Sequence, residues 1–270
     1  MKKSIYTVIA VLALSFSACE KVVDLDLNSI EPRLVIDASI SDGEECKVVL
    51  SMTKNYYDNS ELDYVSGAQV FISVNGGNEE QLVEAPPGGF YFSSTRGITN
   101  ETYTVRVVVD GKEYKSTATI PPTVPIDRLF IYNIQLDDKY WFSPCVAFHD
   151  PGGIANYYLY TIYVNDRRMK SIYVDDDIYN DGLYHERILP FDDTDNNEEE
   201  LVYGDNVRVV MESLDIGAFT FYQTLFSVAS GGGTNPIGNF TGGVLGCFKA
   251  YGASPYEIII SEDNVFTREL

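Results

Sequence analysis

The chain has 270 residues, of which 45% are hydrophobic and 13% aromatic, and its formal net charge at pH 7 is −21. This content of aromatic and aliphatic residues excludes a disordered chain and is sufficient for two domains with buried cores. The acidic balance disfavours nucleic acid as a partner, because a negative surface repels phosphate backbones.

The N-terminus has the pattern of a secretory signal. Two lysines precede an apolar stretch, Ile5 to Phe16, that is too short to cross a bilayer as a helix. Small residues then stand directly before a cysteine in Phe16-Ser17-Ala18-Cys19, which resembles a lipobox, the signal at which a cysteine is acylated and becomes the new N-terminus. We therefore predict a lipoprotein signal peptide at 1–18, lipidation of Cys19, and a lipidated N-terminus and tether at 19–33. Ordinary cleavage beside a chance cysteine is the alternative.

From residue 34 to residue 120 the pattern is β throughout. Short runs alternate apolar and polar residues and are separated by turn residues. The clearest hairpin is TYTVRVVV-DG-KEYKSTATI, in which Asp110-Gly111 suits a type I′ turn. About seven such strands predict an immunoglobulin- or fibronectin-like β-sandwich over 34–120.

A proline-rich segment divides the predicted domains. The sequence PPTVP at 121–125 ends the last strand and predicts a stiff joint. Residues 126–270 again read mainly as strands and predict a second β-rich domain. One helix is expected near 215–230, with Asp215 as its N-cap and glycines 231–233 at its end. The predicted fold class is therefore mainly β.

The three remaining cysteines show no metal or redox spacing. Cys46, Cys145 and Cys247 include no close pair, so at most one disulfide is expected. Each lies in an apolar β context, which predicts small core residues on strands.

Catalytic signatures are missing from the sequence. It contains no G-x-S-x-G elbow, P-loop or dinucleotide-binding motif. His149 lies in a turn, FHDPGG, and reads as a polar loop residue. His185 opens HERIL, which fails the zincin pattern because Leu189 stands where the second histidine belongs. These observations predict a protein that is not an enzyme.

Acidic runs at 175–182 and 192–200 offer carboxylates but no regular calcium loop. Both fail the EF-hand pattern at required positions. Two interpretations stay open: solvated loops, or an irregular structural calcium site with Asp175, Asp177 and Asp181 as ligands. No other cofactor is expected. A pair of glycosidase acids would require two carboxylates in one cleft, and the spacing does not favour it.

Tyrosine is the most unusual component, with 20 residues. Most tyrosines on strands are expected to pack in the core or along sheet edges. Tyr56, Tyr57 and Tyr64 flank a polar loop and are the predicted stacking contacts for a glycan or peptide ligand.

Several segments occur in a characteristic order. They are the lipobox, PRLVIDASIS, GAQVFISV, TYTVRVVVDGKEYKSTATIPPTVPID, FHDPGGIANYYLYTIYV and LFSVASGGGTNPIGNFTGGVLGCFKAYGAS. In this order the chain resembles a family of Bacteroidota outer-membrane lipoproteins known only as a domain of unknown function. Members of that family are often encoded beside TonB-dependent transporters. The resemblance implies an accessory to nutrient uptake and carries no catalytic residues.

From these signals we expect a non-enzymatic outer-membrane lipoprotein, lipid-anchored and facing either the cell surface or the periplasm. It would act as an accessory or ligand-binding component of TonB-dependent nutrient uptake. The expected partners are the membrane through the N-terminal lipid, a TonB-dependent transporter, and a glycan or peptide. One alternative is a structural or adhesive cell-surface lipoprotein, and another is a carboxylate-dependent glycan hydrolase.

Overall fold

The computed structural model describes residues 31–55, 58, 60–136, 139–197, 199–229 and 235–269. The predicted signal peptide, Cys19, the first part of the predicted tether, and Tyr56 and Tyr57 lie outside the described residues.

The first half of the described chain forms a sandwich of two four-stranded layers. Its strands are β1 (Leu34–Ser41), β2 (Glu45–Met52), β3 (Gln69–Val74), β4 (Glu79–Gln81), β5 (Val83–Ala85), β6 (Phe90–Arg96), β7 (Thr102–Val109) and β8 (Lys112–Thr119). One layer has the order β1-β2-β6-β5 and the other β4-β3-β7-β8. These are the A-B-E-D and C′-C-F-G orders of an immunoglobulin-type sandwich, as the sequence predicts. We call this the first sandwich.

Eight strands replace the roughly seven expected because one segment changes layers. β4 pairs with β3, whereas β5 pairs with β6 in the opposite layer. Leu82 lies between β4 and β5, is 5% exposed, and donates its N–H to the carbonyl of Val70 at 2.8 Å. The segment therefore splits into two strands of three residues each.

The β7–β8 hairpin confirms the turn predicted from its two central residues. Asp110 and Gly111 have φ angles of 50° and 73°, and Val109 pairs with Lys112. Two successive positive φ angles define a type I′ turn, whose twist matches that of the flanking strands.

The second half of the chain repeats the same strand order, which the sequence did not reveal. Its strands are β9 (Arg128–Leu136), β10 (Lys139–His149), β11 (Tyr157–Val164), β12 (Arg167–Asp176), β13 (Tyr184–Ile188), β14 (Asn206–Leu214), β15 (Leu245–Ile259) and β16 (Val265–Glu269). β9-β10-β13 corresponds to A-B-E, and β12-β11-β14-β15 corresponds to C′-C-F-G. β16 adds a parallel strand beside β9. We call this the second sandwich.

The long strand β15 joins the two sandwiches into one eight-stranded sheet, ordered β12-β11-β14-β15-β1-β2-β6-β5. Its first part pairs in parallel with β1, from Val35–Leu245 to Ser41–Tyr251. Its second part pairs antiparallel with β14. Residues Pro32–Leu270 consequently form one compact unit.

The predicted proline-rich joint, residues 121–125, contains no strand and is held against the shared sheet. Val124 is 2% exposed and donates its N–H to Ser213 Oγ at 3.1 Å. Gly252 permits this approach, since a Cβ there would lie 2.2 Å from Thr123 Oγ1. The joint is therefore fixed by specific contacts with β14 and β15.

Each sandwich has its own hydrophobic core. Ile36, Val48, Val105 and Tyr91 are buried in the first core, which also takes Phe248 from β15. Ile131, Phe148, Tyr160, Val209 and Met211 are buried in the second. Burial of each such side chain contributes about 1.5–3 kcal/mol relative to exposure.

Among the described residues there is one α-helix, α1 (Ile216–Ala229), close to the predicted position. Asp215 caps it, because its Oδ1 accepts the N–H of Ala218 at 3.1 Å. Ala218 and Phe219 are buried, and the Phe219 ring stacks on Tyr157 with centroids 4.6 Å apart. The helix therefore covers part of the face of the shared sheet that points away from the two cores.

Candidate functional site

Two acidic loops meet at one end of the second sandwich. Residues 150–156 connect β10 to β11, and residues 177–183 connect β12 to β13. The carboxylates of Asp150, Asp177 and Asp181 approach one another within 4.8 Å. Asp150 and Asp177 are 5% and 6% exposed, whereas Asp181 is exposed. Three carboxylates at this spacing can supply oxygen ligands of the kind that calcium prefers.

The same carboxylates hold the acidic loops together by accepting backbone hydrogen bonds. These bonds run from Gly153 N–H to Asp181 Oδ1 (2.7 Å), from Gly182 N–H to Asp150 Oδ2 (3.1 Å) and from Asn156 N–H to Asp177 Oδ2 (2.8 Å). Hydrogen bonds to ionised acceptors are among the stronger ones in proteins, and they satisfy the two buried acids. The acidic loops thus form a clamp that needs no cation to account for its geometry.

Tyr158 completes this clamp from β11. Its hydroxyl donates to Asp150 Oδ1 at 2.5 Å. Burial, together with this hydrogen bond and the nearby carboxylate, raises the pKa of Tyr158 well above its usual range. The phenol therefore remains a hydrogen-bond donor at any physiological pH.

The structure brings together two of the three predicted metal ligands, Asp177 and Asp181. It places the third, Asp175, on β12, where Oδ2 lies 3.2 Å from Arg187 Nε. Asp150 stands beside Asp177 and Asp181 instead. Asp150 belongs to the HDPGG turn seen in the sequence, but linear spacing could not show that this turn meets the loop after β12.

A second polar group lies inside the second sandwich around Asp175. His185 Nε2 is 3.8 Å from Asp175 Oδ2, longer than the roughly 2.6–3.2 Å over which a partner orients a catalytic base. Tyr160 is 0% exposed, and its hydroxyl makes no hydrogen bond to the described residues. Burial and the charge of Asp175 both raise the pKa of Tyr160. The group is therefore a partly buried electrostatic contact that supports the fold.

His149, the other histidine, ends β10 and points outward. Its side chain is 74% exposed, with Nδ1 2.6 Å from Asp127 Oδ2 and the ring 4.8 Å from that of Tyr184. The pair lies in solvent, where an ion pair contributes little to stability.

Of the predicted stacking tyrosines, only Tyr64 falls within the described residues. It is 42% exposed, and its ring centroid lies 4.7 Å from that of Phe90. Lys47 lies over the same Phe90 ring at 5.8 Å. Tyr64 therefore presents an accessible aromatic ring of the kind that stacks on glycan or peptide groups.

A nearly buried ion pair lies on the outer face of the shared sheet, and sequence reasoning missed it. Lys249 Nζ on β15 is 2.5 Å from Glu212 Oε2 on β14, and the two side chains are 15% and 12% exposed. The ammonium also lies 4.0 Å from the Tyr251 ring centroid. Burial alone would lower the pKa of Lys249, but Glu212 and the nearby tyrosines raise it above its ordinary value. Both side chains point outward from strands in different segments, so no linear pattern could pair them.

Two of the grooves on the described surface are large enough for a ligand. One, of about 670 Å³, lies between β12 and the end of α1, with Ile172, Phe191, Leu225 and Phe226 among its lining residues. The other, of about 420 Å³, opens at one end of the first sandwich, beside the point where the described chain begins. Both volumes fall within the roughly 300–1,000 Å³ typical of ligand sites.

The three described cysteines are free, buried residues on strands, as predicted. Burial raises the pKa of the Cys46 and Cys145 thiols to about 12, and that of Cys247 is raised as well. Their thiols are therefore protonated and unreactive at neutral pH.

The chain matches the family described as a domain of unknown function, DUF4249, over residues 20–256. The chain belongs to this family. No curated protein matches the sequence. The DUF4249 match begins one residue after Cys19 and covers the first sandwich, helix α1 and the second sandwich as far as residue 256 in β15. Within the described part of the chain, this DUF4249 protein has no helix long and apolar enough to cross a membrane.

Proposed function

We propose that this protein is an outer-membrane lipoprotein that serves as a non-enzymatic, ligand-binding accessory of TonB-dependent nutrient uptake. The observation that supports the lipoprotein part of the proposal is the start of the family match at residue 20. A domain that begins directly after Cys19 supports the division predicted from the sequence, in which residues 1–18 are removed and Cys19 becomes the acylated N-terminus.

Anchoring follows from the chemistry of acylation. Each buried methylene of an acyl chain contributes about 0.8 kcal/mol, so two or more chains hold a protein stably on a bilayer. The described chain then needs no membrane-spanning helix of its own.

A binding role is supported by the surface of the two sandwiches. Tyr64 offers an exposed ring packed against Phe90, and the groove beside α1 presents apolar side chains, including a Phe226 that is 59% exposed. Exposed aromatic rings and apolar grooves are typical of binding surfaces. A glycan or a peptide is the ligand class that fits the aromatic contact, and a TonB-dependent transporter is the proposed protein partner.

A hydrolase is the less favoured candidate. The carboxylates of Asp150, Asp177 and Asp181 lie within 4.8 Å of one another, closer than the roughly 5–9.5 Å that separates the two acids of glycosidases. Two of them are buried and accept hydrogen bonds from loop amides, so they do not face an open cleft. A structural or adhesive surface protein remains the alternative among non-enzymes.

Replacement of the anchoring cysteine tests the proposal. Full-length Cys19→Ala should lose the acyl mass and leave the membrane fraction, whereas Cys145→Ala should remain acylated and membrane-bound. Cys145 is a matched control because its thiol is buried and its side chain has the same chemistry. Fractionation and intact-mass spectrometry measure both results. A Cys19→Ala protein that stays membrane-bound, or a wild-type protein without acyl mass, would contradict the proposal.

A further inference from the structure

The groove at the end of the first sandwich has an apolar floor. Leu34, Val65, Val109 and Val244 line it and are only partly buried, and all four pack on the first core. Met52 and Tyr114 complete the apolar lining. The groove is therefore an opening into the end of the hydrophobic core, with a volume of about 420 Å³.

Two cations stand at the rim of this groove, and neither has an acidic partner among the described residues. Arg33 donates from its guanidinium to the carbonyl of Gly243 at 2.9 Å, and Lys112 makes no ion pair or hydrogen bond with the described residues. Both side chains are exposed. One acid, Asp110, lies in the adjacent turn. In a protein with a net charge of −21, a groove whose lining holds two cations and one acid is a local exception.

The groove is also the place where the described chain begins. Pro32 and Arg33 form part of its lining. Cys19 precedes Pro32 by 13 residues, so the two are at most about 45 Å apart even in a fully extended chain. A lipid on Cys19 would therefore tether this end of the first sandwich within about 45 Å of the bilayer.

We propose that this groove faces the membrane and binds an anionic membrane lipid. The acyl chain would lie over Leu34, Val109 and Val244, and the headgroup would contact Arg33 and Lys112. Cations near an anionic leaflet are attracted to it, and the apolar floor provides the complementary contact for hydrocarbon. The inference rests on the proposed lipid anchor and adds to it a defined orientation and a lipid site.

A fluorescent indole can report on this contact, because the chain has one tryptophan, Trp141, on β10 of the second sandwich. The reporter variant combines Tyr114→Trp with Trp141→Phe, and the wild-type protein supplies the distant control. Both are purified as the acylated chain and reconstituted in vesicles containing anionic phospholipid brominated on its acyl chains. Bromine quenches an indole only at short range. We expect strong quenching of the reporter at position 114 and little quenching of Trp141.

Charge reversal tests the headgroup contact. Arg33→Glu with Lys112→Glu in the reporter background should reduce quenching to the level of Trp141. The matched control, Lys139→Glu with Arg168→Glu, reverses two exposed cations of the second sandwich and should leave quenching unchanged. Equal quenching at positions 114 and 141, or quenching that survives reversal at the groove, would overturn the inference.

Intact-mass measurement of the same samples separates this inference from the proposed function. A chain without acyl mass contradicts the anchor itself. An acylated chain whose reporter is not quenched contradicts only the lipid-binding groove.

Discussion

The ion pair between Glu212 and Lys249 allows a quantitative test of the shared sheet. Its two strands, β14 and β15, belong to the second sandwich, while β15 also pairs with β1 of the first. Replacing Glu212 with Gln removes the charge that faces the ammonium and leaves Lys249 nearly buried and unpaired. Lys249→Met removes the ammonium instead and leaves the carboxylate of Glu212 nearly buried and without its partner. Both single substitutions should therefore destabilise the whole unit.

The expected loss of stability depends on how deeply the Glu212–Lys249 pair is buried. The side chains are 12% and 15% exposed at an N–O distance of 2.5 Å, so the pair approaches the fully buried limit. Removing one partner of a buried pair costs about 3–5 kcal/mol. A protein of this size loses about 2–4 °C in Tm per kcal/mol, so we expect a decrease of roughly 6–20 °C.

The chain supplies a matched control in Arg96 and Glu45. Their N–O distance is 3.0 Å, but the side chains are 59% and 44% exposed. Exposed pairs contribute about 0–1 kcal/mol, so Glu45→Gln should lower the Tm by less than about 4 °C.

Thermal unfolding followed by circular dichroism or calorimetry measures these changes, with the double variant Glu212→Leu/Lys249→Met included. Because the double variant leaves no buried charge unpaired, its stability should recover most of the loss. If Glu212→Gln and Glu45→Gln had equal effects, or the double variant were as unstable as the sum of the singles, the reasoning from burial would be refuted.

Two further predictions concern single carboxylates. Burial raises the pKa of Asp215 from 3.8 to about 6. The folded protein therefore binds a proton here more tightly than the unfolded chain does. The stability that this adds is complete below the unfolded pKa of 3.8 and is lost as the pH rises through about 6. Asp215→Asn keeps the helix cap and should stabilise the protein by up to about 2–3 kcal/mol above pH 6. Urea unfolding should show that this gain in stability becomes smaller towards pH 4. An equal gain at both pH values would contradict the raised pKa of Asp215. The calcium prediction is tested at the acidic loops, where calcium at about 100 times its Kd should raise the Tm by roughly 5–11 °C and Asp177→Asn should abolish the increase. An unchanged Tm in calcium would leave the hydrogen-bonded clamp as the whole account of these acids.

Local patterns predicted much of this fold. Period-2 alternation located the strands, and Asp110-Gly111 specified its turn because few residues other than Asn, Asp and Gly tolerate two positive φ angles. Asp215 located the start of helix α1 for an equally local reason.

Relations between distant strands could not be predicted in the same way. The sequence did not show that the second sandwich repeats the order of the first, because pairing partners leave no local signal. Nor did it show that β15 would pair with β1 across 210 residues, as Val35 and Leu245 do. The composition of the acidic site could not be predicted for the same reason. Asp177 and Asp181 were found as part of one run, whereas Asp150 joins them only through the fold.

The central claim is that this DUF4249 protein acts at the outer membrane as an accessory of nutrient uptake. Affinity capture of the full-length acylated protein from native outer membranes, with mass spectrometry of the captured proteins and Cys19→Ala as the unanchored control, tests it most directly. The account predicts a TonB-dependent transporter as the main partner of the wild-type protein. Capture of other surface proteins without a transporter would contradict it and favour a structural or adhesive role.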